Sequence, residues 1–388
     1  MLPLFPSPWL REDHAQLADT AARFFRERWV PQAAQWREAG CMPRASWHEA
    51  GRSGLLCVGM PEAFGGGGGD FGHEAVLALE LAKANLSGFG GGLHSAIVAP
   101  YVLKHGTPAQ RERWLPKMAR GERIGAIAMT EPGAGSDLQG VRTLARREGD
   151  GYILTGSKTF ITNGQNANLV IVVCKTDAGL GAKGVSLLVV EVEDGAGQLA
   201  PGFTRGRNLQ KIGMHAQDTS ELFFDGVRVP AENLLGGHEG QGFAQLMQEL
   251  PQERLLIAVS AVGGLERGLQ EALSYTKQRK AFGKAVWEFQ NTRFQLAEVQ
   301  AGLLAARAVL DAAITAHLKG ELDAARAALL KSWTTDLQCQ LLDICLQLHG
   351  GYGYMLEYPI AELWADARVA RIYGGTNEIM KELAARSM

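Results

Sequence analysis

"IGAIAMTEPGAGSD", residues 124–137, is where the grammar of the chain changes. Upstream of it, "REDHAQLADTAARFFRERWVPQAAQWREAG" (11–40), "PRASWHEAGRSGLL" (43–56) and "GHEAVLALELAKANL" (72–86) carry apolar residues at three-to-four spacing, the mark of amphipathic helices. From Ile124 the runs shorten and fill with Val, Ile, Thr and Phe: "GYILTGSKTFITNG", "NLVIVVCKT", "GVSLLVVEVE", "PGFTRG" and "SELFFDGVRVP". Gly, Asn and Asp separate them, as between strands. After Gly242 the chain returns to helix in "FAQLMQELPQERLLIAVSAVGGLERGLQEALSYTKQ" and two further long apolar-periodic runs.

The order is helices, sheet, helices. This predicts an α+β chain with an N-terminal helical domain (1–122), a central β-barrel or sandwich (123–237) and a C-terminal antiparallel helical bundle (238–388). No strand–helix–strand alternation exists, which excludes a Rossmann fold. Gly67, Gly69 and Gly72 in "AFGGGGGDFG" satisfy G-x-G-x-x-G. No strand precedes them, so a flexible surface loop is expected rather than a dinucleotide site.

Composition narrows the function. The 388 residues are 46% apolar and 21% charged, with net charge −2. That allows two or three buried cores and offers no basic field for nucleic acid. Five cysteines without C-x-x-C spacing, and nine histidines without H-E-x-x-H, argue against a disulfide scaffold or a zinc site. No stretch approaches the ~20 apolar residues of a membrane span, and the first residues resemble no leader sequence. A cytoplasmic protein is expected, or a mitochondrial matrix protein if a presequence has been removed.

Several junctions carry polar or glycine-rich chemistry. "MTEPGAGSD" (129–137) offers hydroxyls and glycines that permit close approach to a ligand. "KTFITNG" (158–164) ends a strand with an aromatic flanked by hydroxyls, a platform for a planar ring. "RKAFG" (279–283) puts cations at a helix end, where a pyrophosphate could dock. "QLHGGYGY" (347–354) and "YGGTNEIM" (373–380) are glycine breaks in helical runs.

Together, "AMTEPGAGSD", "FITNG", "QRKAFG", "QLHGGYGY" and "YGGTNEIM" resemble the acyl-CoA dehydrogenase family, in order and spacing, over nearly the whole chain. The resemblance implies an N-terminal α-domain, a central β-domain and a C-terminal four-helix bundle, with FAD as cofactor, a homotetramer, an acyl-CoA substrate and electron-transfer flavoprotein as acceptor. Carried over, it implies that Met129, Thr130, Gly135 and Ser136 line the flavin, with Phe160 and Thr162 beside its ring. A tryptophan is frequent in the family where Phe160 stands. Arg279, Phe282, Gln290, Gln347 and Gly351 would grip the flavin of a neighbouring subunit, and Thr376 and Glu378 would touch a flavin from the C-terminal loop. Ser136, Arg254, Tyr373 and Gly374 would contact the acyl-CoA.

One position departs from the family. Many members read Tyr-Glu-Gly-Thr in the C-terminal loop, and that glutamate removes the substrate α-proton. Here the loop reads Tyr373-Gly374-Gly375-Thr376. The chemistry still requires a base, and the resemblance supplies one: "ELPQERLLIA" (249–258) looks like the long-chain and isovaleryl type, whose catalytic glutamate stands where Glu253 does. On an anonymous helix, Glu253 beside Arg254 would read as a solvated ion pair. Glu378 and Glu131 are the rival carboxylates; the first matches a cofactor contact and the second a turn. The N–H of Gly374 can still polarise a thioester carbonyl, because a backbone donor needs no side chain. Two other functions compete: an oxidase of the same family that uses oxygen directly, and a non-catalytic member acting in binding or assembly.

Overall fold

The computed structural model describes residues 1–388. Its first part holds α1 (Glu12–Phe24), α2 (Ala33–Ala39), α3 (Arg44–Arg52), α4 (Phe71–Lys83), α5 (Gly91–Leu93), α6 (Ala99–His105) and α7 (Pro108–Ala119). A π-turn at Phe25–Trp29 follows α1, and another at His94–Val98 joins α5 to α6. Gly40, at φ 73, caps α2, a left-handed conformation that glycine adopts without steric cost.

The glycine run differs from the flexible loop expected. Gly67, Gly68 and Gly69 donate to the carbonyls of Cys57, Met60 and Val58. A Cβ on Gly66 would lie 2.2 Å from the Met60 carbonyl oxygen. The glycines let two stretches of backbone touch, which side chains would prevent. Sequence alone could not separate this from looseness, since both need the same residue.

Seven strands follow: β1 (Gly125–Ala128), β2 (Leu144–Glu148), β3 (Gly151–Thr162), β4 (Leu169–Lys175), β5 (Val185–Glu191), β6 (Phe203–Asn208) and β7 (Thr219–Pro230). β4 lies between β1 and β5, while β2, β3, β7 and β6 run side by side. The two groups join through the single pair Leu144–Lys175. β4 shows why its sequence is apolar throughout rather than alternating. Leu169, Ile171 and Val173 pack with Tyr101, Trp114 and Met118 of the helices. Val170, Val172 and Cys174 pack with Tyr152, Leu154 and Phe224 of the other strands. A strand covered on both faces needs apolar residues at every position. β1 and β4 are parallel, but the chain between them passes through β2 and β3, so no βαβ unit arises.

The last part is helical: α8 (Gly242–Gln278), a hairpin of β8 (Lys280–Ala281) and β9 (Lys284–Ala285), then α9 (Gln290–Leu318), α10 (Ala324–Gln347), α11 (Pro359–Ala367) and α12 (Asn377–Ala385). By length and composition α9 is apolar enough to cross a membrane, which the sequence reading did not anticipate. Its Leu296, Val299, Leu303, Leu310 and Ile314 lie in the bundle core with Leu255, Val259 and Leu342. Val76 and Leu79 of α4 join the same core. The first helical part is thereby welded to α8, and the main cavity opens beside this seam.

Candidate active site

A cavity of about 580 Å³ lies between α4, α8, the β1 and β3 ends and the C-terminal loop. It gathers Met129, Thr130, Gly135, Ser136, Phe160, Thr162, Glu253, Arg254, Tyr373 and Gly374. These ten residues come from four separate stretches of sequence, and each was singled out there.

The β wall is set by a buried lysine. Lys158 is fully buried on β3. Its Nζ donates to the Met129 carbonyl at 3.0 Å and to Glu131 Oε1 at 2.8 Å. Glu131 also accepts the N–H groups of Arg142 and Thr143, so it is the structural turn residue expected. Burial pushes its carboxyl up, but the bonds from Lys158 and Thr143 outweigh that and hold it below its ordinary range. The Thr159 N–H donates to the Thr130 carbonyl at 2.9 Å, tying the two ligand loops together. The β3–β7 register then slips between Lys158 and Ile161. Phe160 sits in that bulge at φ 59. A non-glycine residue held there is strained, and such strain concentrates at functional sites. The bulge turns the Phe160 ring outward, where it is 67% exposed.

This wall fits a flavin. It presents one uncovered aromatic ring beside the hydroxyls of Thr130, Ser136 and Thr162, all lining the cavity. A Cβ on Gly135 would meet nothing within 4 Å, so the backbone there is open to close approach. An aromatic face with hydroxyls beside it suits a planar, hydrogen-bonding ring system.

The opposite wall is α8. Glu253 is only 6% exposed, so the solvated ion pair is not what forms. Its Oε1 accepts the Tyr101 hydroxyl at 2.9 Å. One turn earlier, Glu249 accepts Lys104 Nζ at 2.7 Å and meets His105 Nε2 at 3.1 Å. Burial pushes the Glu253 carboxyl up to about 7, against the Tyr101 bond and the Arg254 charge, which both lower it; Glu249 adds to the rise. Burial raises Glu249 as well, but His105 and Lys104 outweigh it and keep that carboxyl below its ordinary value. Two carboxylates one turn apart are thus driven in opposite directions, a common sign of divided roles. Arg254 is buried with its Nε unpartnered.

The C-terminal loop closes the cavity. Gly374 and Gly375 lie at φ 64 and φ 94, and neither N–H is taken up by a hydrogen bond within the chain. A Cβ on Gly374 would lie 2.4 Å from Ile257 Cδ1. Ile257 stands one turn after Glu253 on α8, so the helix that carries the carboxylate also fills the space of a loop side chain. The loop is anchored from below by fully buried Lys331, whose Nζ donates to the Gly375 carbonyl at 2.7 Å and to Asn377 Oδ1 at 2.9 Å. Asn377 Nδ2 donates to the Ser332 carbonyl and to Thr335 Oγ1.

Not every expected residue reaches this cavity. Thr376 caps α12, its hydroxyl accepting the Ile379 N–H at 3.4 Å. Glu378 is exposed on the first turn of that helix. Neither lines the cavity. Arg279 and Gly351 line a second hollow, of about 550 Å³, with Tyr275, His349 and Tyr352. Phe282, beside it in sequence, is 94% exposed, and Gln290 and Gln347 are also on the surface. Sequence reasoning missed Tyr101, Ile257, Lys331 and Asn377. Only Asn377 left a signal, as a polar residue inside a glycine-flanked motif.

Models of three consecutive family domains match the chain: Acyl-CoA dehydrogenase, N-terminal domain over residues 11–122, middle domain over 126–227 and C-terminal domain over 240–388. The chain is 50% identical over 378 residues to the long-chain specific acyl-CoA dehydrogenase, mitochondrial, of Mus musculus, covering 97% of this chain and 86% of that protein. It superposes on the crystal structure of an acyl-CoA dehydrogenase from Geobacillus kaustophilus with TM-score 0.95 and 45% identity, over 98% and 99% of the two chains. A glutaryl-CoA dehydrogenase from Mycobacterium smegmatis, solved in complex with FADH2, superposes with TM-score 0.88 and 27% identity over 97% and 95%.

Proposed function

Because the chain belongs to the acyl-CoA dehydrogenase family, we propose that it is an FAD-dependent enzyme that converts an acyl-CoA thioester to trans-2-enoyl-CoA with Glu253 as base. The observation that carries this is one buried carboxylate on α8, partnered on a single oxygen and lining a cavity whose C-terminal loop places glycine, not a carboxylate, at positions 374 and 375.

Met129, Thr130, Gly135, Ser136, Phe160 and Thr162 would hold the flavin. When bound, FAD supplies the acceptor for the hydride that leaves Cβ. The protein supplies the rest. Removing a proton beside a thioester needs a desolvated carboxylate whose pKa lies near the working pH, and burial moves Glu253 to about 7. The charge that develops on the thioester oxygen needs donors already in place. The free N–H of Gly374 is such a donor, and the Lys331 bond to Gly375 keeps it from swinging away. Arg254, buried and unpartnered on its Nε, lies one residue from the base and would help place the substrate.

The second hollow supports assembly. Exposed Phe282, Arg279, Gln290, Gln347 and Gly351 would complete a neighbour's cofactor site in a homotetramer. Electrons would pass on to electron-transfer flavoprotein. The likeness to the mouse long-chain protein, and cavity walls built from Leu77, Leu81, Phe89 and Leu250, support a long acyl chain as substrate.

Anaerobic bleaching of bound flavin by a panel of acyl-CoAs tests the proposal. Wild type should bleach fastest with long chains. Glu253→Gln should slow bleaching by the ~10²–10⁴ of a lost general base. Normal bleaching by the variant would end the assignment of Glu253.

A further inference from the structure

We infer that Tyr101 is a positioning residue for this carboxylate: it holds one oxygen of Glu253 and leaves the other to take the proton. The inference rests on the reading of Glu253 as base.

Tyr101 is fully buried on α6. Packing alone would be served by phenylalanine, yet a hydroxyl is present, and its hydrogen bond goes to Glu253 Oε1 at 2.9 Å. The other oxygen, Oε2, receives no donor and is not sealed from the cavity. The contact is one rung of a brace between two helices. Tyr101, Lys104 and His105 stand at i, i+3 and i+4 on α6, and Glu249 and Glu253 at i and i+4 on α8. Both spacings keep the groups on one helical face. The paired rungs at Glu249 fix the height of α8 against α6, so the Tyr101–Glu253 distance is set by the fold and not by one flexible side chain.

The proton logic follows from which group can donate. Burial and the neighbouring Glu253 charge push the Tyr101 phenol well above its ordinary value, so it stays protonated and donates. A donor to a carboxylate favours the ionised form. Once Oε2 takes the substrate proton, Oε1 becomes a carbonyl that still accepts. The same hydrogen bond serves both states and no side chain has to turn. Other titratable groups stand near: Glu74 on α4 and Asp366 on α11 line the same cavity and burial pushes both carboxyls up, Glu74 to about 7, while burial pushes His317 on α9, near Lys104 and Glu249, down to about 4. Arg254 on α8 favours ionised Glu253, and Glu249 opposes it but is paired to Lys104 and His105. Burial, and then the like charge of Arg254, push the Lys331 ammonium on α10 down to about 8.

The test uses the holoenzyme in three forms: wild type, Tyr101→Phe and Glu253→Gln. Two quantities are followed against pH. One is kcat/KM, whose acid limb reports the free enzyme's base. The other is the infrared carboxyl band of Glu253, identified by its loss in Glu253→Gln. In Tyr101→Phe both midpoints should move up together by about one pH unit, the size of a lost hydrogen bond to a charged group. The activity deficit near neutral pH should then shrink as pH rises. Replacing Tyr101 by 3-fluorotyrosine, a more acidic phenol and a stronger donor, should move both midpoints down, and it preserves the shape of the site if the phenylalanine variant folds poorly. A deficit equal at every pH with midpoints in place means a packing role and overturns the inference. If Glu253→Gln is inactive while the Tyr101 midpoints stay fixed, the inference alone fails. If Glu253→Gln is fully active, the base assignment falls and this inference with it.

Discussion

The two walls of the cavity supply opposite kinds of group. α8 brings a side chain, Glu253; the C-terminal loop brings backbone at Gly374 and Gly375. Each wall has its own brace: buried Tyr101 with half-buried His105 and exposed Lys104 holds the carboxylates of α8, and buried Lys331 with Asn377 holds the loop. Ile257 sets the two arrangements against each other, since its terminal Cδ1 would have to shift to admit a Cβ on Gly374, at a position whose left-handed φ already strains any side chain. A carboxylate can come from either wall, but the steric account differs. On α8 it costs only the burial of charge. On the loop it would also cost a left-handed φ and the room that Ile257 takes.

Moving the carboxylate across is the sharpest way to break this comparison. Glu253→Gln with Gly374→Glu should stay slow, by at least ~10²-fold in flavin bleaching, because the new side chain starts from a left-handed φ and must displace Ile257 Cδ1. Adding Ile257→Ala should recover about tenfold or more, the return on ~1.4 kcal/mol of better placement. Full recovery without trimming Ile257 would show that the contact does not keep glycine in the loop.

The loop brace can be tested without touching the reacting groups. Lys331→Met removes the donor to the half-buried Gly375 carbonyl, which has no other partner, and to buried Asn377 Oδ1, which keeps only Thr335 Oγ1 at 3.4 Å. Unpaired buried polar groups destabilise by about 1–3 kcal/mol each. Urea unfolding should show a loss of ~2–4 kcal/mol, and amide exchange should quicken first around residues 373–377. A variant as stable as wild type, with an equally protected loop, would mean that the glycines hold their shape unaided.

These braces also mark the limit of what the sequence discloses. The architecture was legible because its signals are periodic: apolar spacing of three to four in α8 to α10, and continuous apolar runs in β4 and β5. The glycine-rich ligand loops were legible because their residues recur as short motifs. Glu253 was legible only against the missing carboxylate at Gly374. Tyr101 and Lys331 were not. Tyr101 lies 152 residues from Glu253, and Lys331 lies 44 residues from Gly375. Each looks like an ordinary member of an amphipathic helix until the bundle folds. Glu249 was silent for the same reason. Nothing local separates it from Glu253, and only the cations of α6 drive their pKa values apart.

The smallest expected effect concerns stability, and it tests whether the α8 wall carries a cost that the loop wall lacks. Glu253 has a folded-state midpoint of about 7 against an ordinary 4.5. Between those values the folded protein holds a proton that the unfolded chain has released, so this group's contribution to stability falls as pH rises toward 7 and is then constant. Glutamine cannot ionise. Glu253→Gln should therefore be more stable than wild type above pH 7, by ~1–3 kcal/mol. The advantage should shrink as pH drops and vanish below about 4.5. Glu74, also pushed up to about 7 by burial, is common to both proteins and cancels in the difference. Urea unfolding at three pH values within the range measures it. Backbone N–H groups do not titrate, so the cost of substituting Gly374 should be flat across the same range. A stability difference for Glu253→Gln that is equally flat would mean the carboxylate is not held near neutrality, and the two walls would then differ in geometry alone.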